Sequence, residues 1–187
     1  MSRIGNQPIT IPVGVTLTNA NNHVIVTSPK GTLKYQIPDS LKLAVEGSII
    51  KISATKSDKK TKSMHGLIRS VINNAAIGLT AGWQKTLQLV GVGFRAQTDG
   101  QKLTLIVGFS HPVEITAPAG ITFSVKGNDI TISGFDKHLV GEITAQIRRI
   151  KPPEKYKGKG IRYKGEQVKL KPGKAAKTVG GATSATK

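Results

Sequence analysis

From Ile9 to Leu17 the chain alternates strictly: Ile9, Ile11, Val13, Val15 and Leu17 are apolar, with polar or small residues between them. That period of two is the pattern of a strand with one buried face. Pro12 has no amide to give to a neighbouring strand, so an edge strand is predicted. Shorter strands are predicted at His23 to Thr27, Thr32 to Ile37, Leu41 to Val45 and Ile49 to Ser53, separated by Pro, Gly, Asn and Asp. The period then changes. Met64, Leu67, Ile68, Val71, Ile72, Ala75 and Ala76 follow the three-and-four spacing of one apolar helix stripe, which is expected to cover the sheet.

Shifted by 80 positions, the chain matches itself. Pro38, Leu41, Leu43, Val45 and Gly47 fall on Pro118, Ile121, Phe123, Val125 and Gly127, and Ile50, Ile52 and Ser53 fall on Ile130, Ile132 and Ser133. A period this long indicates duplicated domains and not a solenoid. The fold expected is α+β: two similar domains, each a small, mostly antiparallel sheet packed with one helix, plus a basic C-terminal extension; the first covers residues 1–82, the second 83–177 with the basic segment at 148–177, and a flexible tail follows at 178–187.

The second copy is predicted to open with a strand over Thr86 to Gln97, turn at Asp99-Gly100, and return with Leu103, Leu105, Val107 and Phe109 alternating. Its helix is predicted to start at Asp136, a carboxylate able to cap the free amides of the first turn, with Phe135 and Val140 placed for a hydrophobic staple. Ile143, Ile147 and Ile150 continue the stripe, and Pro152-Pro153 stops the helix.

Charge adds what periodicity does not. The 187 residues hold 28 Lys and Arg against 10 Asp and Glu, a net charge of +18 that attracts polyanions. Residues 1–80 have 10 basic and 3 acidic side chains, 81–147 have 5 and 5, and 148–177 have 12 and 2. So steep a concentration predicts a contact surface, against the blander reading of a solvated basic tail. There is no cysteine, which excludes disulfides and thiolate chemistry. No run reaches the ~18 apolar residues that cross a membrane, and the opening Met1 to Gly5 lacks the apolar stretch of a signal peptide. A soluble, intracellular protein with no membrane partner is expected.

The basic stretch, 148–177, is the candidate site. Arg148, Arg149, Lys151, Lys155, Lys157, Lys159, Arg162 and Lys164 can neutralise phosphates. Gly158 and Gly160 would let backbone amides approach a phosphate chain. Tyr156 and Tyr163 could stack on bases or riboses, and Pro152-Pro153 would hold the segment extended.

The run Pro153-Glu-Lys-Tyr-Lys-Gly-Lys-Gly-Ile161 resembles the signature of the family of the sixth protein of the large ribosomal subunit, bacterial or organellar type. Met1-Ser-Arg-Ile-Gly5, His65-Gly-Leu67, Gly91-Val-Gly-Phe-Arg-Ala96, Gly108-Phe-Ser-His-Pro-Val113 and Lys171-Pro-Gly-Lys-Ala-Ala-Lys177 resemble it too, so the likeness covers Met1 to about Lys177. It implies two similar α+β domains and a structural, non-enzymatic role in the ribosome, in bacterial cytoplasm or plastid stroma. It further implies binding to large-subunit ribosomal RNA through the second domain and C-terminal segment, near the sarcin-ricin loop and the translation-factor docking region, beside neighbouring ribosomal proteins. By residue, the resemblance carries RNA contact onto Lys155, Tyr156, Lys157, Gly158, Lys159, Gly160, Arg162, Tyr163 and Lys164. Lys169, Lys171, Lys174 and Lys177 join them from charge and position alone. No cofactor, metal or small-molecule substrate is expected.

Other motifs carry less. Gly91-Val-Gly93-Phe-Arg-Ala96 has the spacing of a dinucleotide fingerprint, but Thr98-Asp99-Gly100 leads into another strand where a helix is needed, so tight strand packing or a bulge is the reading. Gly173-Lys174 lacks the glycine and the hydroxyl of a phosphate-binding loop. His23, His65, His111 and His138 have no metal spacing. His65 reads as capping or packing, His111 as packing or RNA contact, and Trp83 as a packing anchor at the domain junction. Asp39, Asp58, Asp99 and Asp129 read as turn residues. Two other functions remain open: an RNA-modifying enzyme, which needs a cofactor cleft or a paired acid and base, and a DNA-compacting protein, which would bind duplex DNA and ribosomal RNA alike.

Overall fold

The computed structural model describes residues 3–20, 22–56 and 58–173. The first half runs β1 (Ile9–Thr10), β2 (Thr16–Ala20), β3 (His23–Ser28), β4 (Gly31–Gln36), β5 (Leu41–Glu46), β6 (Ile49–Ala54) and α1 (Lys59–Thr80). The second runs β7 (Trp83–Val90), β8 (Arg95–Thr98), β9 (Lys102–Ile106), β10 (Val113–Thr116), β11 (Ile121–Lys126), β12 (Asp129–Gly134), α2 (Lys137–Ile150) and β13 (Gly160–Tyr163). The fold is α+β, and the repeat is visible element by element. β5 and β6 recur as β11 and β12 at the 80-residue offset, and their central pairs, Leu43 with Ile52 and Phe123 with Ile132, have the same register.

Each half builds two small antiparallel sheets. The orders are β1-β6-β5 and β2-β3-β4 in the first half, and β11-β12-β7-β13 and β10-β9-β8 in the second. Helix α1 lies across β3 and β6, burying Ile68, Ile72, Ala75 and Leu79 against Val24, Val26, Ile50 and Ile52. Helix α2 packs on β7, β12 and β13, where Val140, Ile143 and Ile147 meet Leu87, Leu89, Ile130, Ile132 and Ile161. Asp136 caps α2 as the sequence suggests, its carboxylate accepting the His138 amide at 2.8 Å. The Asp99-Gly100 turn also forms, with the Asp99 carboxylate accepting the amides of Gln101 and Lys102.

Two expected strands are each split in two. The alternation from Ile9 to Leu17 spans β1 and β2, which belong to different sheets, and Val13 between them is fully exposed. Pro12, with no amide to donate, sits where the chain leaves one sheet for the other. The expected strand over Thr86 to Gln97 likewise divides into β7 and β8 around Gly91-Val92-Gly93. In both places apolar alternation marks burial on either side of a corner, which periodicity alone cannot distinguish from a straight strand.

Leu67 falls outside the buried stripe of α1 and is 52% exposed, while His65 is inside it at 1%. The imidazole Nε2 lies 2.8 Å from the Ile52 carbonyl, so His65 packs the helix on β6. The Phe135–Val140 staple is not the arrangement found. Phe135 turns to the first half's core, whereas Val140 belongs to the second. Trp83 helps fix the same junction by donating from Nε1 to the Asn74 carbonyl of α1 at 3.0 Å, with the Lys137 ammonium 4.3 Å over its ring.

Candidate nucleic-acid interface

Helix α2 delivers the chain to the basic segment. Arg148 and Arg149 occupy its last turn, where cations are favoured by the helix dipole, and Lys151 follows at the cap. The segment then closes a loop on itself. The Glu154 amide donates to the Lys159 carbonyl at 2.8 Å, and the Gly158 amide donates to the Glu154 carbonyl at 3.0 Å. Lys155, Tyr156, Lys157 and Lys159 are all exposed on this loop, with Tyr156 at 58%. Among the described residues no carboxylate pairs with any of these lysines.

After the loop the chain becomes β13, an edge strand on β7 with Ile161 opposite Leu89 and Tyr163 opposite Leu87. Ile161 is fully buried. Only Gly160–Tyr163 is thus extended, held by sheet pairing and a core side chain, while residues 154–159 are turned back on themselves, so the extended segment expected from Pro152-Pro153 is not what forms. Gly160 has a fold-building reason to be glycine: its φ is +146°, and an added Cβ would stand 2.6 Å from the Pro152 oxygen and 2.7 Å from the Pro153 Cα. Gly158 is buried too.

Some candidate cations are engaged inside the protein. Arg148 donates to both oxygens of Glu166, at 3.2 Å from Nε and 2.6 Å from Nη2, and Glu166 also accepts the Tyr163 amide at 2.9 Å. The Arg148 hydrogen bond, with the Tyr163 amide, holds the Glu166 carboxyl below the usual carboxylate range. Arg162 donates from Nε and Nη2 to the Gln88 amide oxygen at 3.2 and 3.0 Å. Lys164 pairs with Asp129 at 2.8 Å. Tyr163 is half-buried, with the Lys85 ammonium and the Arg148 guanidinium 5.5 and 5.4 Å from its ring, so Tyr156 is the ring better placed to stack on a base.

Lys169 and Lys171 lie exposed beyond Glu166, and the Lys171 amide donates to the Lys155 carbonyl at 2.7 Å, which ties this strand of chain back to the loop. A cleft of about 540 Å³ opens between them, bordered by Gln88, Val90, Lys157, Arg162 and Leu170. Lys174, Lys177 and the tail at 178–187 lie outside the described residues. The structure therefore brings Lys155, Tyr156, Lys157, Lys159, Lys169 and Lys171 onto one exposed region, while Arg148, Arg162 and Lys164 orient it from partly occupied positions.

Sequence reasoning did not single out Gln88 or Glu166, and read Asp129 only as a turn residue, whereas it opens β12 and pairs with Lys164; these are the groups that orient the cations. Their signal was weak, since each looks like an ordinary polar residue until β13 is placed beside β7. Ile161 and Tyr163 two apart in a basic run were the available hint of a strand.

The family Ribosomal protein L6 matches residues 11–82 and 90–164. The chain is 47% identical over 178 residues to the large ribosomal subunit protein uL6 of Enterococcus faecalis, an alignment covering 95% of this chain and 100% of that protein. It is 47% identical to the uL6 of Phenylobacterium zucineum, over 93% of this chain and 99% of that one. With the uL6 of Listeria monocytogenes it shares 45% identity, over 95% and 100%. On matches that span both halves and the exposed cationic loop, this chain belongs to the ribosomal protein L6 family.

Proposed function

We propose that this chain is a structural component of the large ribosomal subunit, not an enzyme, and that it binds large-subunit ribosomal RNA through the surface built on β13 and loop 154–159. The observation that carries the reading is a rigidly seated cationic loop: Lys155, Tyr156, Lys157 and Lys159 are exposed, while Ile161, two residues further on, is locked in the core. Preorganised cations lose little conformational freedom on binding and displace the counterions of a phosphate backbone.

The finer assignment follows from the resemblance. The RNA contacted lies near the sarcin-ricin loop and the factor-docking region, with further ribosomal proteins as neighbours. Arg149, Lys151, Lys155, Tyr156, Lys157, Lys159, Lys169 and Lys171 make the direct contacts in this reading, and Arg148, Gly158, Gly160, Arg162, Tyr163 and Lys164 shape the surface, with Lys174 and Lys177 extending it. The two domains divide at residues 82 and 83. The bacterial sources of the relatives favour a bacterial ribosome over a plastid one.

The test is sedimentation of the tagged full chain with large ribosomal subunits through a gradient, before and after a moderate salt wash, followed by RNA footprinting. Retention with protection near the sarcin-ricin loop is expected. A chain that stays free of the subunit, or that binds duplex DNA as tightly as ribosomal RNA, overturns the proposal.

A further inference from the structure

The His65-Gly-Leu67 motif is only half absorbed by the fold. His65 packs α1 on β6, whereas Leu67 is left 52% exposed. Leu67, Val71 and Ala75 follow one another at four-residue steps and so form a single ridge along α1. The ridge descends from exposed Leu67 through partly buried Val71 to buried Ala75. At its foot a cavity of about 380 Å³ opens between the two halves. Tyr35 of β4 and Val71, Asn74 and Ala75 of α1 wall it on one side, and Asp136, Lys137 and His138 wall it on the other, where α2 begins.

In a chain that carries +18, this cavity holds a carboxylate without a counterion. Asp136 accepts the His138 amide through Oδ1 at 2.8 Å, and among the described residues no cation pairs with it. The amino end of α2 offsets part of the charge, while Oδ2 takes no hydrogen bond among the described residues. Lys137 turns away, its ammonium 3.2 Å from the Asn74 Oδ1 and 4.3 Å over the Trp83 ring. Tyr35 feels the carboxylate: burial first, and then the Asp136 charge, push its phenol up to about 12. A carboxylate and a phenol thus stand at the end of an apolar wall, and a phosphate would be repelled there.

We propose that this cavity docks a neighbouring protein of the large subunit by taking one of its lysine or arginine side chains, the stem along Val71 and Ala75 and the cationic head between Asp136 and Tyr35. Long basic side chains bury their stems on apolar surface and keep the charge at a polar edge, and both surfaces adjoin here. Polypeptides that assemble on a polyanion are rich in such side chains, as this chain is itself. Leu67 gives the docked segment an apolar contact at the rim. The inference rests on the reading that the chain is a component of the large subunit, and it adds the place and chemistry of a protein contact.

The chain has no cysteine, so Leu67→Cys provides one attachment point for a benzophenone photoprobe. The labelled full chain is assembled into large subunits and irradiated, and the cross-linked species is identified by mass spectrometry. A cross-link to another ribosomal polypeptide, close to a lysine or arginine, is expected. Asp136→Asn then tests the charge, since asparagine caps a helix about as well as aspartate, and an unfolding midpoint near the parent's verifies the cap. In competition with the parent for entry into subunits, Asp136→Asn should be disfavoured about ten-fold or more, the effect of one charge-assisted hydrogen bond. Its affinity for protein-free large-subunit ribosomal RNA should equal the parent's. A cross-link to RNA, to a second copy of this chain or to no macromolecule overturns the inference, as does entry of Asp136→Asn on equal terms with the parent. Failure of the unlabelled parent to enter subunits would instead sink the large-subunit reading, and this inference with it.

Discussion

Replacing Ile161 with alanine tests whether the basic segment is part of the core or an appendage. The side chain is fully buried in a cluster with Leu87, Leu89, Ile130, Ile132 and Ile147. Alanine removes three carbon groups, worth about 2.4 kcal/mol at roughly 0.8 kcal/mol each. The cavity left among strands already fixed by β7 and β12 adds to this, giving an expected loss of about 2–5 kcal/mol. Ile161→Val should cost only about 0.5–1.5 kcal/mol. The assay is urea unfolding followed by the fluorescence of Trp83, the only tryptophan, which sits at the junction of the two halves. A shift in midpoint with an unchanged slope is expected, together with weaker RNA binding despite unaltered charge. A loss below about 0.5 kcal/mol, the ordinary range for a surface residue, would mean that β13 is not held in the core and would remove the physical basis of the preorganised loop.

Glu166→Gln should cost about 1 kcal/mol at neutral pH, the discounted worth of a bidentate pair whose side chains are still about a quarter exposed. Because the Glu166 carboxyl is held below its ordinary range, this contribution is present above the unfolded-state value and disappears as the pH falls through the folded-state one. Parent and variant urea midpoints should therefore converge in acid, and a constant gap down to low pH would contradict the pairing. Lys157→Ala with Lys159→Ala should leave the unfolding midpoint in place and lower the salt slope of RNA binding by about 1.5, which filter binding at several salt concentrations can read. An unchanged slope would move the phosphate contacts elsewhere. Burial, followed by the nearby Asp136 charge, pushes the Tyr35 phenol up to about 12. Since the unfolded chain then loses this proton first, stability should fall as the pH rises from about 10 to 12. Tyr35→Phe should lessen that fall in an alkaline series of unfolding curves, and an identical decline in both proteins would refute the assignment.

What the sequence determined by itself was the set of pieces. Local chemistry was enough for the Asp136 cap, the Asp99-Gly100 turn, the stop before Pro152-Pro153 and the duplicated strand pairs, since each depends on residues within a few positions or on a direct self-match. Clustered charge and the Pro153 to Ile161 run were likewise legible, because they need no knowledge of neighbours. Tertiary structure decided where those pieces go. Alternation from Ile9 to Leu17 is the same whether the chain runs straight or turns a corner between two sheets, and only the pairing partners of β1 and β2 distinguish them. Phe135 could reach either core, and the packing of the two halves sent it to the first. The basic segment shows the difference best. Composition made it a cationic contact surface without a fold, while the open edge of β7 took Gly160–Tyr163 as a strand, buried Ile161, engaged Arg148 and Arg162 internally, and left Lys155, Lys157 and Lys159 exposed. A free sheet edge is a property of the assembled fold, and no window of sequence contains it.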